Sequence, residues 1–317
     1  MKGAKQTTLR DHAALSGVGV HSGLPVTLTL HPADDDTGIV FQRVAADGTI
    51  EREIRADVRA VTATEFATVL GDSKGPLCST AEHLLAALRG LSVDNVIIEL
   101  DGPEVPIMDG SAAPFVETID QAGLTTRATP RRYIEVIKPV RVAKDGALGE
   151  LLPYANGFRV EAEIEFDHPL IGKQALSLDI NADTFRREIA RARTFGFMRD
   201  VSKLWSAGYA LGASFENTLV VTDERVLNPE GLRFSDEFVR HKVLDAMGDL
   251  ALAGLPLIAN YRTVRGGHKL NYAVLSALMA DKSAWRVIET AAEPARRRGH
   301  AGAPAGMVAA AYGPDVS

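Results

Sequence analysis

The sequence predicts an α+β protein in which two layers of sheet and helix pack together. In each half of the chain, runs rich in β-branched residues come first and a segment of helical period follows them. The length of 317 residues corresponds to about two domains of ordinary size. Residues 122–132, between the halves, are polar, contain Gly and Pro and lack apolar periodicity, so we place a domain boundary there.

The first half predicts several strands and then one helix. The strands are expected at residues 26–30, 39–41 and 68–70. Residues 79–90 place Leu84 and Leu88 four positions apart, between a capping serine and a terminating glycine, which predicts a helix. The apolar run at residues 93–100 predicts a buried strand after that helix.

The second half repeats this order. Strands are predicted at residues 132–142, 158–166 and 219–221, and helices at residues 184–193 and 235–254. We therefore expect an N-terminal domain over residues 1–126 and a C-terminal domain over residues 131–290. Residues 293–317 are rich in Ala, Arg and Gly, and we predict that they form a mobile tail.

Composition and charge exclude several classes of protein. Hydrophobic residues make up 46% of the chain and charged residues 24%, the balance of a folded soluble protein. The 41 acidic residues outnumber the 35 basic ones and give a net charge of −6, so no nucleic-acid partner is expected. The N-terminus lacks a signal-peptide pattern, and the most apolar window, residues 250–259, is too short to cross a membrane. We expect a cytoplasmic monomer without a transmembrane segment.

The candidate metal ligands are histidine and carboxylate groups, because the one cysteine, Cys78, cannot build a multi-cysteine zinc site. His241 and Asp245 stand at i and i+4 of a predicted helix, so both side chains lie on one face and can reach one cation. Asp249 continues the same stripe and is placed to orient a neighbouring imidazole. The alternative is a solvated helix face with a His–Asp hydrogen bond.

A second candidate pair, Glu82 and His83, lies near the start of the predicted helix at residues 79–90. Consecutive helical positions point about 100° apart, but at a helix mouth both side chains can flank one point. His83 would then hold a metal while Glu82 addresses the water on it. The alternative is a capping box from Ser79 to Glu82, in which the carboxylate bonds back to the capping amide.

The third candidate is His268, which follows Gly266 and Gly267 in a predicted loop where the backbone can approach a ligand closely. The alternative is a turn histidine in solvent. His83, His241 and Asp245 together make three N/O ligands, the count that leaves a catalytic metal one open position for water. With Glu82 as the base and His268 as the acid, this set suits amide hydrolysis.

Two further segments have simpler interpretations. Asp109 is a turn residue or a helix cap. Residues 17–23 are glycine-rich but lack the lysine of a phosphate-binding loop, so we interpret them as a turn before a strand.

Several segments, in order, resemble the UDP-3-O-acyl-N-acetylglucosamine deacetylase family, the zinc amidases of lipid A biosynthesis. They lie at residues 80–84, 106–112, 192–197, 238–245 and 267–268. The resemblance covers about residues 5–285. It implies two domains, each a sheet layered against helices, with zinc at their junction. It also implies removal of the N-acetyl group of UDP-3-O-(3-hydroxyacyl)-N-acetylglucosamine, giving acetate and the free amine.

The resemblance assigns roles to residues of this chain. The zinc ligands would be His83, His241 and Asp245. Glu82 would be the general base, and His268, supported by Asp249, would stabilise the oxyanion and protonate the amine. Thr194 would hydrogen-bond the oxyanion. The same ligand set suits several divalent metals, so Fe²⁺ is an alternative to zinc in cells.

The resemblance also implies how the substrate is bound. Lys242 would face the phosphate-bearing side and Phe166 would stack on the uracil. Apolar residues between 195 and 221 would form the passage for the acyl chain: Phe195, Phe197, Met198, Leu204, Trp205, Leu211 and Phe215. The alternative for these side chains is ordinary core packing. Residues 64–78 depart most from the family pattern and leave the entrance open to interpretation.

Two other functions fit the same residues. One is a zinc amidase acting on a different acetylated sugar nucleotide. The other is a non-catalytic protein that binds a sugar nucleotide or a lipid, in which His241 and Asp245 are structural.

Overall fold

The computed structural model describes residues 4–289 and confirms the α+β class. In chain order, the strands are β1 Lys5–Leu9, β2 Ala13–Val18, β3 Pro25–Pro32, β4 Ile39–Val44, β5 Ile50–Arg55, β6 Val61–Ala63, β7 Val69–Asp72, β8 Gly75–Cys78, β9 Val96–Leu100, β10 Leu124–Pro130, β11 Arg132–Val136, β12 Val140–Lys144, β13 Ala147–Leu152, β14 Phe158–Glu165, β15 Lys173–Ile180, β16 Phe195–Phe197, β17 Leu219–Val221, β18 Leu257–Val264 and β19 Trp285–Glu289.

The α-helices are α1 Glu82–Gly90, α2 Ala113–Ala122, α3 Ala182–Thr184, α4 Val201–Ser206, α5 Glu237–Ala251 and α6 His268–Ala280. Short 3-10 turns lie at Val58–Ala60 and Met198–Asp200, and a π-helical turn, Phe185–Ile189, continues α3. None of the helices within residues 4–289 has the length and apolarity that crossing a membrane would require.

A five-stranded sheet is built from the first hundred residues, in the order β2-β3-β9-β4-β5. Its pairs are antiparallel except for the parallel pair of β4 with β9. In β3, Val26, Leu28 and Leu30 are buried while the alternating residues are partly exposed. This period of two means that one face of the sheet is turned to the core, where α1 and α2 pack.

A seven-stranded sheet is built from residues after 131, with β18 at its centre. β18 pairs antiparallel with β13 and parallel with β11 and β14. β12, β15 and β19 complete the sheet at its edges. The central position explains why Leu257, Ile258, Ala259 and Tyr261 of β18 are all buried.

The helices α1 and α5 approach each other so closely that their backbones touch. A Cβ added at Gly248 of α5 would lie 2.0 Å from the Glu82 carbonyl oxygen of α1. Only a residue without a side chain fits at that crossing. Glycine therefore brings the first turn of α1 against the C-terminal part of α5.

Most elements predicted from the sequence are present with shifted ends. The predicted strands at 26–30, 39–41, 68–70, 93–100, 158–166 and 219–221 correspond to β3, β4, β7, β9, β14 and β17, and the predicted helices at 79–90 and 235–254 correspond to α1 and α5. The tail prediction for residues 293–317 lies outside the described residues.

Two local predictions are wrong or incomplete, and the predicted boundary segment contains a strand. Residues 132–142 form two strands instead of one, and the break contains Pro139, which has no backbone N–H to donate. The predicted helix at 184–193 starts at Ala182 and leaves helical geometry after Ile189. The proposed boundary segment contains β10, which pairs with β1 in the register Leu9 to Leu124.

Candidate active site and metal centre

His83, His241 and Asp245 meet in one buried cluster, each 2–3% exposed. His83 lies in the first turn of α1, and the other two lie one turn apart on α5. Asp245 Oδ1 is 3.3 Å from His241 Nε2 and 3.6 Å from His83 Nε2. Ligand atoms bound tetrahedrally to zinc at about 2.0–2.1 Å lie about 3.3–3.4 Å apart, so the spacing fits a single ion.

The hydrogen bonds around the cluster leave its inner atoms available to a cation. His241 Nδ1 donates to the Ala192 carbonyl oxygen at 3.0 Å, which turns the lone pair of Nε2 towards Asp245. Asp245 Oδ2 accepts from Lys242 Nζ at 2.9 Å, whereas the buried Oδ1 has no hydrogen-bond partner among residues 4–289. A carboxylate oxygen left facing two imidazoles is suited to a metal ion, and the solvated helix face considered for this pair is wrong.

The charge states also suit metal binding. Burial lowers the pKa of His241 to about 3, against the opposing effect of Asp245, so its imidazole is neutral at neutral pH. Burial acts to raise the pKa of Asp245, but the adjacent Lys242 ammonium holds it well below its usual range. A neutral imidazole and an ionised carboxylate are the forms that coordinate a metal.

Glu82 lies beside the cluster and does not cap its own helix. Its Oε2 accepts from the Thr68 backbone N–H at 3.0 Å, and the N-cap of α1 is Ala81, without a side-chain cap. The capping-box interpretation from Ser79 is therefore wrong. Burial raises the pKa of the Glu82 carboxyl, and the nearby imidazoles of His268 and His83 oppose this effect.

His268 faces Glu82 from the opposite side, with its Nε2 3.7 Å from Glu82 Oε1. Its Nδ1 donates to Asp249 Oδ2 at 2.9 Å, and its side chain is 11% exposed. His268 is the first residue of α6 and not a loop residue, and the interpretation as a turn histidine in solvent is wrong. Burial opposes the charged form, but Asp249 and Glu82 raise the pKa of His268 to about 10, so it is an imidazolium at neutral pH.

Asp249 is held by groups that the sequence did not single out. Thr68 Oγ1 donates to its Oδ1 at 2.5 Å, and Asn271 Nδ2 donates to its Oδ2 at 2.8 Å. Tyr261 OH in turn donates to Asn271 Oδ1 at 2.6 Å. The position of Asn271, three residues after His268, would have pointed to it if α6 had been predicted. No spacing in the sequence points to Thr68.

Thr194 lies where two segments that resemble the family, residues 106–112 and 192–197, contact each other. Its backbone N–H donates to the Gly110 carbonyl oxygen at 2.8 Å, and it directly precedes β16. Two residues before it, Ala192 supplies the carbonyl that orients His241. A Cβ at Gly110 would lie 2.0 Å from the Asn217 carbonyl oxygen, which explains why a glycine stands in this turn.

Asp109 and residues 17–23 have structural contacts. Asp109 accepts from the N–H and hydroxyl of Ser111 and pairs with Arg233 at 2.8 Å. Because the N-cap of α2 is Ala112, the helix-cap alternative for Asp109 is wrong. The turn predicted at residues 17–23 is present but shorter, because residues 17 and 18 end β2. The backbone N–H groups of His21 and Ser22 in this turn donate to the buried carboxylate of Glu104.

The predicted substrate-binding side chains lie next to the cluster. Lys242 Nζ is 5.5 Å from the ring centroid of Phe195. Phe195 stands edge-on to Phe166 at 5.7 Å and 6.3 Å from the His241 ring. Phe197 lies 5.9 Å from Phe166, so three aromatic rings form one wall beside the metal-binding cluster.

The apolar side chains predicted for an acyl passage are mostly not core residues. The exposed ones are Met198, Trp205, Leu211 and Phe215, and their exposed fractions range from 47% to 57%. Phe197 and Leu204 are partly buried. Phe66, from the divergent segment 64–78, packs its ring 4.8 Å from Tyr209 beside them. Core packing is therefore wrong for the four exposed side chains.

A buried cluster of two imidazoles and one carboxylate, flanked by a carboxylate and a charged histidine, is the arrangement expected of a metal-dependent hydrolase. Residues 6–280 match the family model described as LpxC, UDP-3-O-acyl N-acetylglycosamine deacetylase. The chain belongs to this family, whose members act on an amide. Relatives from Brucella ovis, Brucella canis and Brucella melitensis biotype 2 are 49% identical over 287 residues, covering 90% of this chain and 99% of theirs. Each is named UDP-3-O-acyl-N-acetylglucosamine deacetylase.

Proposed function

We propose that the chain is a zinc-dependent hydrolase that removes the N-acetyl group of UDP-3-O-(3-hydroxyacyl)-N-acetylglucosamine in lipid A biosynthesis. Acetate and the free amine are the products. The observation that carries this proposal is the meeting of Glu82 and the His268–Asp249 pair with the cluster of His83, His241 and Asp245. Family membership supports the choice of substrate.

His83, His241 and Asp245 would hold the metal through Nε2, Nε2 and Oδ1. When bound, zinc supplies Lewis-acid polarisation of the amide carbonyl and of the attacking water. Three protein ligands leave one position free, which is the arrangement of a catalytic and not a structural site. Fe²⁺ would be accepted by the same nitrogen and oxygen donors.

Glu82 is the proton acceptor and His268 the proton donor. The Glu82 carboxylate lies next in sequence to a metal ligand, and the Thr68 N–H fixes one of its oxygens, leaving Oε1 for the water proton. His268 is charged at neutral pH and directs Nε2–H to the same space. Its positive charge stabilises the developing oxyanion, and its proton goes to the departing amine nitrogen.

Asp249 and Thr194 assist these steps. Asp249 holds His268 Nδ1–H, which fixes the ring orientation and favours the imidazolium form. Thr194 is assigned to the oxyanion by the family resemblance of residues 192–197, and it lies two residues after Ala192, whose carbonyl contacts the ligand His241. Both assignments are supported by the order of the matched segments in the chain.

The substrate would extend away from the metal in two directions. Lys242 is assigned to the phosphate-bearing side of the sugar nucleotide. Its Nζ contacts the candidate ligand Asp245, and its side chain is 24% exposed, so the ammonium lies beside the metal site and is open to solvent. The wall of Phe166, Phe195 and Phe197 is assigned to the uracil and the start of the acyl chain. The exposed apolar residues between 198 and 215 are assigned to the rest of that chain.

We also propose that the chain folds as two domains, residues 1–126 and 131–290, in a cytoplasmic monomer. The five-stranded sheet draws its strands from the first range and the seven-stranded sheet from the second, which supports the division. The candidate metal ligands come from both ranges, which supports a site at their junction.

The proposed activity is tested with the variants Glu82→Gln and His268→Ala. We expect stoichiometric zinc in both, and a fall in the rate of acetate release of about 10²–10⁴-fold in each, because each removes one proton-transfer group. Near-full turnover by either zinc-loaded variant would show that its role is wrongly assigned.

The substrate class is tested with a series of 3-O-acyl chain lengths, with the metal content measured on the same sample. We expect hydrolysis to require the acyl chain. Hydrolysis of a substrate without it would favour an amidase for another acetylated sugar nucleotide. Absence of both zinc and hydrolysis would favour a binding protein.

A further inference from the structure

A cavity of about 320 Å³ lies away from the metal-binding cluster, at the C-terminal ends of α1 and α5. Its wall is largely apolar and includes Tyr133, Phe158, Ile180, Met247, Leu250 and Leu257. This volume is within the range of small-molecule sites, which are mostly apolar with a few polar groups that orient the ligand. His83 and Arg89 on α1 are separated by six residues, or about 9 Å along the helix axis, so the cavity is distinct from the metal site.

One charged side chain, Arg89, lines this apolar cavity. Its Nε atom is buried and has no hydrogen-bond partner among residues 4–289. The nearby carboxylate of Asp94 is already engaged by Arg131, whose Nη2 lies 2.7 Å from Asp94 Oδ2. A buried N–H of a guanidinium without an acceptor is unfavourable, because the hydration lost at that atom is not replaced.

The electrostatics of Arg89 agree with this geometry. Burial lowers the pKa of its guanidinium to about 10, and the opposing effect of Asp94 does not restore it. Arg131 and Arg55 lower it further. The cavity therefore combines an apolar wall with a guanidinium whose Nε–H has no hydrogen-bond partner among residues 4–289.

We propose that this cavity binds an aliphatic carboxylate, with the carboxylate on the guanidinium of Arg89 and the hydrocarbon chain against the apolar wall. Arginine donates two parallel N–H groups to a carboxylate, which gives this pair both strength and orientation. The hydrocarbon chain gains from leaving water for the surface formed by Met247, Leu250 and Phe158.

The test measures binding of sodium octanoate and of 1-octanol to the zinc-loaded full chain by titration calorimetry. The wild-type protein is expected to bind octanoate at least tenfold more tightly than octanol. In Arg89→Met this preference disappears, because the apolar wall remains while the partner of the carboxylate is lost. Arg55→Met is the matched control, since Arg55 is near Arg89 but does not line this cavity, and it keeps the preference.

A second variant, Ala182→Leu, tests the cavity without changing charge. Ala182 lines the cavity and lies in the short helix α3, so a larger side chain fills the space. We expect at least a tenfold loss of octanoate affinity. The proposal is overturned if wild-type protein gives no heat with millimolar octanoate. It is also overturned if both variants bind octanoate as tightly as wild type, the result expected for octanoate held at the metal or along residues 195–221.

Discussion

At the scale of single residues, Asp245 and His268 carry opposite charges at neutral pH although both belong to the same site. The Asp245 carboxylate is kept ionised by the Lys242 ammonium, with one oxygen left for a cation. His268 is kept charged by Asp249 and Glu82. The same buried environment thus supplies an anion for the metal and a cation for the oxyanion, because each group has its own partner.

Replacement of Asp249 by Asn is expected to lower the pKa of His268 from about 10 towards its ordinary value, because the negative charge of Asp249 is what most favours the imidazolium. NMR titration of the imidazole nitrogens of His268 measures this directly. The alkaline limit of the pH–rate profile should also move to lower pH, because the rate depends on the charged form of His268. An unchanged pKa in Asp249→Asn would show that Asp249 does not maintain the charge of His268.

The raised pKa also has a consequence for stability. A group whose pKa is higher in the folded than in the unfolded state binds its proton more tightly when folded. The contribution of His268 is therefore fully present below about pH 6.5, the unfolded value, and is lost as the pH rises through about 10. Urea unfolding of wild type and His268→Gln should converge above that pH. A difference that stays constant from pH 6 to pH 10.5 would contradict this linkage.

At the scale of elements, the site depends on two helices and one connecting segment. The contact of Gly248 with the Glu82 backbone places α1 on α5. The segment after α3 delivers the Ala192 carbonyl to His241. The next residue, Arg193, is 1% exposed and bonds to the buried carboxylate of Glu237 at the start of α5. The ligand helix and its orienting carbonyl are thus joined by a buried ion pair.

Gly248→Ala should push α1 and α5 apart, because the added Cβ would lie 2.0 Å from a backbone oxygen. We expect a loss of about 1–3 kcal/mol of unfolding free energy from overpacking and weaker zinc binding. The matched control is Gly196→Ala, whose added methyl meets only Thr218 Cγ2 at 4.0 Å. Equal stability and equal zinc affinity of the two variants would contradict the role of this crossing.

Arg193→Met should destabilise the protein by about 3–5 kcal/mol, because it leaves the Glu237 carboxylate buried without its partner. Arg186→Met serves as the comparison, since the pair of Arg186 with Asp120 is largely solvent-exposed and such pairs contribute up to about 1 kcal/mol. Chemical denaturation measures both. Similar small losses in the two variants would show that the buried pair has no special role.

At the scale of the whole molecule, the sequence predicted what depends on local spacing and missed what depends on tertiary contact. The i, i+4 spacing of His241 and Asp245 was sufficient to propose ligands. Thr68 contacts Asp249 across 181 positions, and no local pattern contains that information. The two glycines before His268 favoured a loop and hid α6. The close approach at Gly248 required both helices in place before it could be recognised.

The exposed apolar residues between 198 and 215 lead to a prediction about how activity depends on acyl-chain length. Trp205→Ala should lower kcat/KM about tenfold for substrates with long acyl chains, since losing about 50 Å² of buried apolar contact corresponds to about 1.3 kcal/mol. Substrates with short chains should be hydrolysed as by wild type. Ile50→Ala is the control, because Ile50 is equally exposed but lies in β5 of the five-stranded sheet. A uniform loss for all chain lengths would contradict an acyl-binding role for Trp205.

The most direct measurement of the central claim is anomalous diffraction at the zinc edge from crystals of the zinc-loaded protein. One peak is predicted within about 2.0–2.2 Å of His83 Nε2, His241 Nε2 and Asp245 Oδ1. Absence of a peak between these three atoms, with zinc bound elsewhere or not at all, would contradict the account.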